Sequence, residues 1–363
     1  MRSFLKRILR EPVSKLALRY ASRPDKELVH SALTSLYNNI LGNPGKKGLI
    51  IPFTEADKFI IFSDQHKGAK DGSDDFSFAE RNYITALAYY DEHKFSFINL
   101  GDSEELWENN ILAVKKHNAK SFEAEKRFLN RNAFIKIFGN HDLYWDNDPL
   151  AKLMLESIFG KVVPIYEAAI LQTTVSGNPL NIFLTHGHQG DKQSDGNWLS
   201  KWFVSTIWAP LQMYLELNVN TPADNNLLKT AHNQFMYDWV APQKDLLLIT
   251  GHTHQPVFLS LTFLERLFRK LFVAKQHNNR AEIEDLEAQI KLRKIKEEST
   301  TDYSAYHPNY FNTGCCCYND GDITGIEIEA GYIRLIKWEY NEKDLPGRIV
   351  LEQVCISELI QAR

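Results

Sequence analysis

Short apolar runs separated by longer mixed stretches dominate the hydrophobic pattern of this chain. The clearest are Phe59-Ile60-Ile61-Phe62, Phe97-Ile98-Asn99-Leu100, Phe134-Ile135-Lys136-Ile137-Phe138, Ile182-Phe183-Leu184 and Leu246-Leu247-Leu248-Ile249. Runs this short, rich in β-branched and aromatic residues, read as strands buried on both faces. Helical patterns at about 77–93, about 120–130 and Ala151 to Phe159 lie between them. Strand and helix in alternation predict an α/β architecture. Val162 to Gln172 and Asn181 to Thr185 read as further strands. Gly325 to Glu329 and Tyr332 to Tyr340 alternate apolar with polar residues, as strands closing a second sheet would.

Around that core the pattern predicts appended helical pieces. Residues 1–48 form an N-terminal helical extension, where Phe4, Ile8, Leu9, Leu16 and Leu18 mix with Arg2, Lys6, Arg7, Arg10, Lys15 and Arg19. A basic amphipathic stretch of this kind fits peripheral contact with an anionic membrane surface; the plainer reading is a helix packed on the domain with a solvated basic face. Gly42-Asn43-Pro44-Gly45 ends it. The main domain then covers 49–340, with two helical interruptions. A cap at about 190–242 carries Trp198, Trp202, Phe203, Trp208, Tyr214, Phe235, Tyr237 and Trp239, most of them expected to pack it against the core. A hairpin at about 261–299 has Leu264, Leu267, Phe268, Leu271 and Phe272 at helical spacing, then Ile283, Leu286 and Ile290 after Asn278-Asn279. Packing or pairing with a second copy as a homodimer is the expectation for it. Residues 341–363 are left as a C-terminal segment.

The candidate chemistry lies just after the apolar runs. Asp64-Gln65-His66, Gly101-Asp102, Gly139-Asn140-His141-Asp142, His186 and Gly251-His252-Thr253-His254 each end a predicted strand with metal-binding side chains. Carboxylate, amide oxygen and imidazole nitrogen suit divalent manganese, iron or zinc. Asp64 and His66, like His252 and His254, are two residues apart, so a bend out of regular strand geometry lets both reach one ion. Asp102, alone on a glycine turn, is placed to bridge two. Two ions about 3.5–4 Å apart clamp a phosphate group and lower the pKa of a water held between them, which becomes an attacking hydroxide. A non-ligand histidine then serves the leaving oxygen; His141 is the candidate. In Thr185-His186-Gly187-His188, His188 is the other possible ligand or a substrate contact.

In this order, D-x-H, G-D, G-N-H-D, an isolated His and G-H-x-H, the motifs resemble those of the calcineurin-like metallophosphoesterase superfamily, over about Phe59 to Tyr318. The resemblance implies a four-layer fold of two facing mixed sheets flanked by helices. It implies one ion on Asp64, His66, Asp102 and His254 and a second on Asp102, Asn140, His186 and His252, with His141 acting on the leaving group. Gly101-Asp102-Ser103-Glu104-Glu105-Leu106-Trp107 is similar in its G-D-x-x-E-x-W spacing to the pyrophosphatases that cleave UDP-diacylglucosamine. Glu105 is then expected to fix a ligand imidazole; Asp142 is a further neighbour of the site, and Trp107 is expected to pack. Protein phosphatases of the superfamily fit less well: Glu105-Leu106 stands where they carry Asp-Arg-Gly, and Asp142 replaces glutamate. The expected substrate is a phosphorylated small molecule, amphipathic if the cap accepts an acyl chain.

Composition narrows the alternatives. With 42 Lys and Arg against 46 Asp and Glu, the net charge of −4 gives no global basic field for nucleic acid. That argues against a nuclease reading, while the complete ligand set argues against a non-catalytic module like the sorting-complex subunits of this fold. No apolar run approaches the roughly 18 residues of a membrane span, and no secretory leader is recognisable. Cys315, Cys316, Cys317 and Cys355 make a poor disulfide framework and no zinc spacing, so a reduced, cytoplasmic setting is expected, with the three consecutive cysteines as small hydrophobes in a strand. Asn312-Thr313-Gly314 resembles the turn that follows the last histidine pair in the superfamily.

Overall fold

The computed structural model describes residues 25–70, 74–107, 109–190, 226–276, 279–295 and 307–361. Two seven-stranded mixed sheets form its centre. The first runs β1 (Gly48–Pro52), β6 (Ala168–Val175), β7 (Asn178–Thr185), β8 (Leu246–Thr250), β11 (Tyr310–Asn312), β9 (Val257–Phe258) and β10 (Leu261–Thr262). The second runs β14 (Pro346–Cys355), β13 (Tyr332–Tyr340), β12 (Ile323–Glu329), β2 (Phe59–Phe62), β3 (Ser96–Leu100), β4 (Phe134–Ile137) and β5 (Ile165–Tyr166). β2, β3, β4 and β5 are parallel neighbours, as are β7, β8 and β11. The five apolar runs of the sequence are therefore five central strands.

Their lack of polar alternation follows from burial on both sides. Ile61, Ile98 and Ile137 face Leu171, Ile182 and Ile249 across the space between the sheets. Their neighbours Ile60, Phe62 and Phe97 pack outward against Phe76, Tyr83, Leu87 and Tyr90 of α2 (Phe76–Glu92) and Phe128 of α4 (Ala119–Asn130). On the outer face of the first sheet, Ile170, Phe183 and Leu248 meet α1 (Lys26–Gly42) and α7 (Asn226–Val240). The helix α1 is capped by the Asp25 side chain, which accepts from the Glu27 and Leu28 amides, and buries Val29, Leu33, Leu36 and Ile40 at helical spacing. The layers are helix, sheet, sheet, helix. Satellite helices α3 (Ile111–His117), α5 (Tyr144–Asn147) and α6 (Ala151–Phe159) share a smaller core beyond β4. A hairpin of α8 (Phe263–Gln276) and α9 (Arg280–Ile295) packs largely on itself through Leu264, Leu267, Leu286 and Ile290. The chain ends on α10 (Ile356–Gln361).

Three features differ from the sequence reading. The stretch Val162 to Gln172 is two strands in different sheets: β5 joins the second and β6 the first, with Glu167 between them. Cys315 to Cys317 are not in a strand, because β11 ends at Asn312 and Gly314 turns the backbone through a positive φ of 76°. Residues 341–363 do not stand apart, since β14 pairs with β13 from Tyr332↔Cys355 to Tyr340↔Pro346. The first 24 residues and the cap from 191 to 225 lie outside the described residues. Of the cap's aromatics, Tyr237 and Trp239 pack on the first sheet. Among the described residues no helix is long and apolar enough to cross a membrane.

Candidate metal centre

The five motif segments emerge at one edge of the paired sheets, Asp64, His66, Asp102 and Asn140 from the second sheet and His186, His252 and His254 from the first. Cross-links between the turns hold them there. The Asp64 amide donates to Gly101 O at 3.0 Å, the His66 amide to Asp102 O at 2.9 Å, and the Gly251 amide to His186 O at 2.9 Å. The His252 amide donates to the Asp64 carboxylate at 3.0 Å, tying the first sheet to the second. The His141 amide donates to Asp102 Oδ1 at 2.8 Å.

Donor atoms converge inside this ring. His254 Nε2 is 3.2 Å from Asp64 Oδ1 and 3.1 Å from His66 Nε2. Two imidazole nitrogens facing each other at that distance need a shared proton or a cation between them. Asp102 Oδ2 lies 3.1 Å from His186 Nε2 and 3.8 Å from His66 Nε2, between the two ends of the cluster. Asp64, His66 and Asp102 form one group whose ligand atoms lie within 4.8 Å of one another; Asp102, His186 and His252 form another. His186 Nδ1 donates to Leu100 O at 2.9 Å, which sets Nε2 toward Asp102. Nε2 of His252 and Oδ1 of Asn140 are buried and make no hydrogen bond. Buried polar atoms left without a partner are costly, and a divalent cation would satisfy both. The donor set fits borderline divalent metals. The cluster is thus compatible with a metal site.

Glu105 links the two halves of the chemistry. Its Oε2 is 2.9 Å from His66 Nδ1 and 2.7 Å from His141 Nδ1. Burial opposes ionisation of Glu105, but His141 and His66 outweigh it and hold the carboxyl down at about 2. Burial likewise opposes charge on His141, and Glu105 and Asp102 overcome it, raising the imidazole to about 9. Asp102 is held well below the usual carboxylate range: His186, His141 and His66 more than offset its burial. Trp107, expected to pack, stacks on the His141 ring at 4.1 Å with 20° between planes.

Asp142 is not among the grouped donors. Its carboxylate accepts from the Ser103 amide at 2.9 Å and the Gly139 amide at 2.5 Å, joining the turns after β3 and β4. Burial pushes it up to about 6, with Lys136 opposing and Glu104 and Asp102 adding to the rise. His188 is buried with its ring 5.5 Å from His186 and 6.0 Å from Phe138, beside the cluster.

Sequence reasoning missed the support beneath these turns. Lys67, Lys136, Glu104 and Glu125 are fully buried. Lys136 Nζ bonds Glu104 at 2.8 Å, Lys67 contacts Glu104 at 3.3 Å and also Glu125, and Tyr83 and Trp145 donate to Glu125 and Glu104. A charge within a short apolar run, Lys136, was the available signal. Also unforeseen are Cys315 and Cys317 beside His254. Burial raises the Cys315 thiol, but a hydrogen bond with Cys317 and the nearby His254 bring it down to about 5.

Neither the known protein-family profiles nor the curated proteins contain a match to this chain. Solved structures give weak likenesses. Vacuolar protein sorting 29 from Cryptosporidium parvum is 11% identical, with 83% of this chain and 100% of that one covered, at a TM-score of 0.33. A single mutant of Vps29 from Entamoeba histolytica is 12% identical, with 81% and 99% covered, at 0.28. A protein assigned as a 5'-nucleotidase from Staphylococcus aureus, in complex with alpha-ketoglutarate, is 13% identical, with 82% of this chain and 54% of that one covered, at 0.32. Likeness at this level carries no weight for activity; the site residues must.

Proposed function

We propose that this protein is a binuclear metal-dependent phosphoesterase of the calcineurin-like superfamily. The observation that carries the reading is the convergence of donors from five strand ends, with buried ligand atoms on His252 and Asn140 that no hydrogen bond satisfies. Asp64, His66, Asp102 and His254 would hold one divalent ion, and Asp102, Asn140, His186 and His252 the other. When bound, such a pair supplies Lewis acidity toward a phosphoryl oxygen and a nucleophile at neutral pH.

The chain's own groups do the rest. Glu105 fixes Nδ1 of His141, which leaves Nε2 on the opposite side of the ring to give a proton to the departing oxygen. The same carboxylate fixes Nδ1 of His66, so one residue orients both a ligand and the acid. Trp107 limits rotation of His141 by stacking on it. These contacts give the G-D-x-x-E-x-W residues a part in orienting His66 and His141; a nucleotide-linked or otherwise amphipathic phosphoester or pyrophosphate as substrate rests on the resemblance of that spacing alone. Manganese, iron and zinc all suit the donor set.

Purified full-length protein loaded with manganese is expected to hydrolyse bis-p-nitrophenyl phosphate, and Asp102→Ala to abolish the activity. An Asp102→Ala enzyme with unchanged turnover refutes the mechanism. A metal-loaded protein with no turnover across a phosphoester panel that includes nucleotide-sugar lipids points instead to a non-catalytic module.

A further inference from the structure

We propose that His232 of α7 is a positioning residue for the second metal position, seating the His186 turn and the His252 ring together. The proposal deepens the binuclear reading and rests on it. It starts from the buried stripe of α7. Met236, Tyr237, Trp239 and Val240 bury apolar surface on the first sheet. One turn earlier on the same stripe stand His232 and Asn233, 1% and 0% exposed. Residues three and four apart share a helix face, so the stripe changes from apolar to polar along its length. Buried polar side chains need partners, and those of His232 and Asn233 lie on the donor turns.

His232 Nε2 donates to Gly187 O at 2.6 Å; the acceptor is a carbonyl, so this ring nitrogen carries the proton. Gly187 follows His186 directly and has a positive φ of 110°. The His232 ring also lies 5.0 Å from the His252 ring, with 65° between planes. One imidazole from outside the donor set therefore touches both turns that bring histidines to the second position. Asn233 anchors it from the next residue. Its Oδ1 accepts from the Tyr310 hydroxyl at 2.8 Å and from Thr253 Oγ1 at 3.2 Å, and its Nδ2 donates to Gln255 Oε1 at 2.9 Å.

The two histidines need this support. His186 Nδ1 is fixed at Leu100 O on the side of the second sheet, and the bond from His232 holds the residue that follows it. His252 Nε2 makes no hydrogen bond, and the rings of His186 and His232 pack on it at 5.3 and 5.0 Å. Groups that orient ligands commonly set metal affinity nearly as strongly as the ligands. The other position draws Asp64 and His66 from the second sheet, and Glu105 fixes His66 there. A change at His232 therefore acts mainly on one of the two positions.

The test titrates metal-free full-length protein with manganese and, separately, with zinc, counting bound ions by equilibrium dialysis. Wild type is expected to take up two ions per chain. His232→Phe keeps a ring but loses the donor; it is expected to hold one ion at wild-type affinity and the other about 10–100-fold more weakly. His232→Gln, a milder change that keeps an N–H donor, is expected to recover most of that loss. His186→Ala removes a donor from the same position, so adding His232→Phe to it should cost the remaining ion nothing. Wild-type affinity for both ions in His232→Phe, equal weakening of both, no recovery in His232→Gln, or a further loss in the double variant overturns the proposal and leaves the binuclear reading standing. A wild-type protein that takes up fewer than two ions of either metal overturns both.

Discussion

Asp64, His66, Asp102, His252 and His254 all have positive φ, at 53°, 50°, 50°, 70° and 54°. For a residue with a Cβ this left-handed backbone costs about 1–2 kcal/mol, and such strain gathers where function needs it. Here it lets residues two apart swing to the same side of a turn just past a strand end. His141, proposed as the non-ligand histidine, is held by contact instead. His141→Ala is expected to cut turnover at least about 100-fold with metal content unchanged; loss of metal in that variant would mean the residue is a ligand. Trp107→Ala removes a ring pair worth about 0.5–1.5 kcal/mol, so steady-state turnover should fall by up to about 10-fold and Trp107→Phe should recover most of it.

At the scale of elements, the turns after β3, β4 and β7 approach so closely that side chains are excluded. A Cβ on Gly101, whose φ is +94°, would lie 2.7 Å from His186 Nδ1 and 2.8 Å from the Gly139 amide. Gly101→Ala is therefore expected to destabilise the fold by about 1–3 kcal/mol and to weaken metal binding, read by thermal melting and metal content. Beneath these turns, the Lys67, Lys136, Glu104 and Glu125 network joins the ends of β2 and β3 to β4 and α4. Glu104→Ala leaves the Lys136 ammonium buried without its carboxylate, so a loss of about 3–5 kcal/mol is expected in urea unfolding. A variant within about 0.5 kcal/mol of wild type in the same assay, the range of a surface substitution, would show the network to be dispensable. Beyond the charge of Lys136 inside an apolar run, this network was not legible in the sequence. Lysine and glutamate are mostly surface residues, and only the fold reveals that these four are buried together.

At the scale of the whole molecule, the candidate ligands are divided between two sheets. The second sheet supplies Asp64, His66, Asp102 and Asn140; the first supplies His186, His252 and His254. Bound ions would cross-link the sheets as well as complete the site. Stripping the protein with a chelator should then lower its melting temperature by about 3–4 °C for each ion removed, the size expected in a chain this long when a ligand held at about 100 times its Kd is lost. Restoring the metal should reverse the shift; an unchanged melting temperature would mean that the sheets gain nothing from it.

Local pattern was enough to determine the central strands, the α/β class and the order of the candidate metal-binding turns, because each depends on side chains close together in the chain. Apolar runs specify strands, glycine specifies sharp turns, and donor atoms are a property of residue type. Tertiary structure alone decided that Val162 to Gln172 divides between the sheets and that Pro346–Cys355 extends the second one. It also decided that Glu105 serves two histidines and that the thiols of Cys315 and Cys317 lie beside His254 while Cys316 does not. Those outcomes depend on contacts between residues tens to hundreds of positions apart, where burial and approach distance are set by the packed fold.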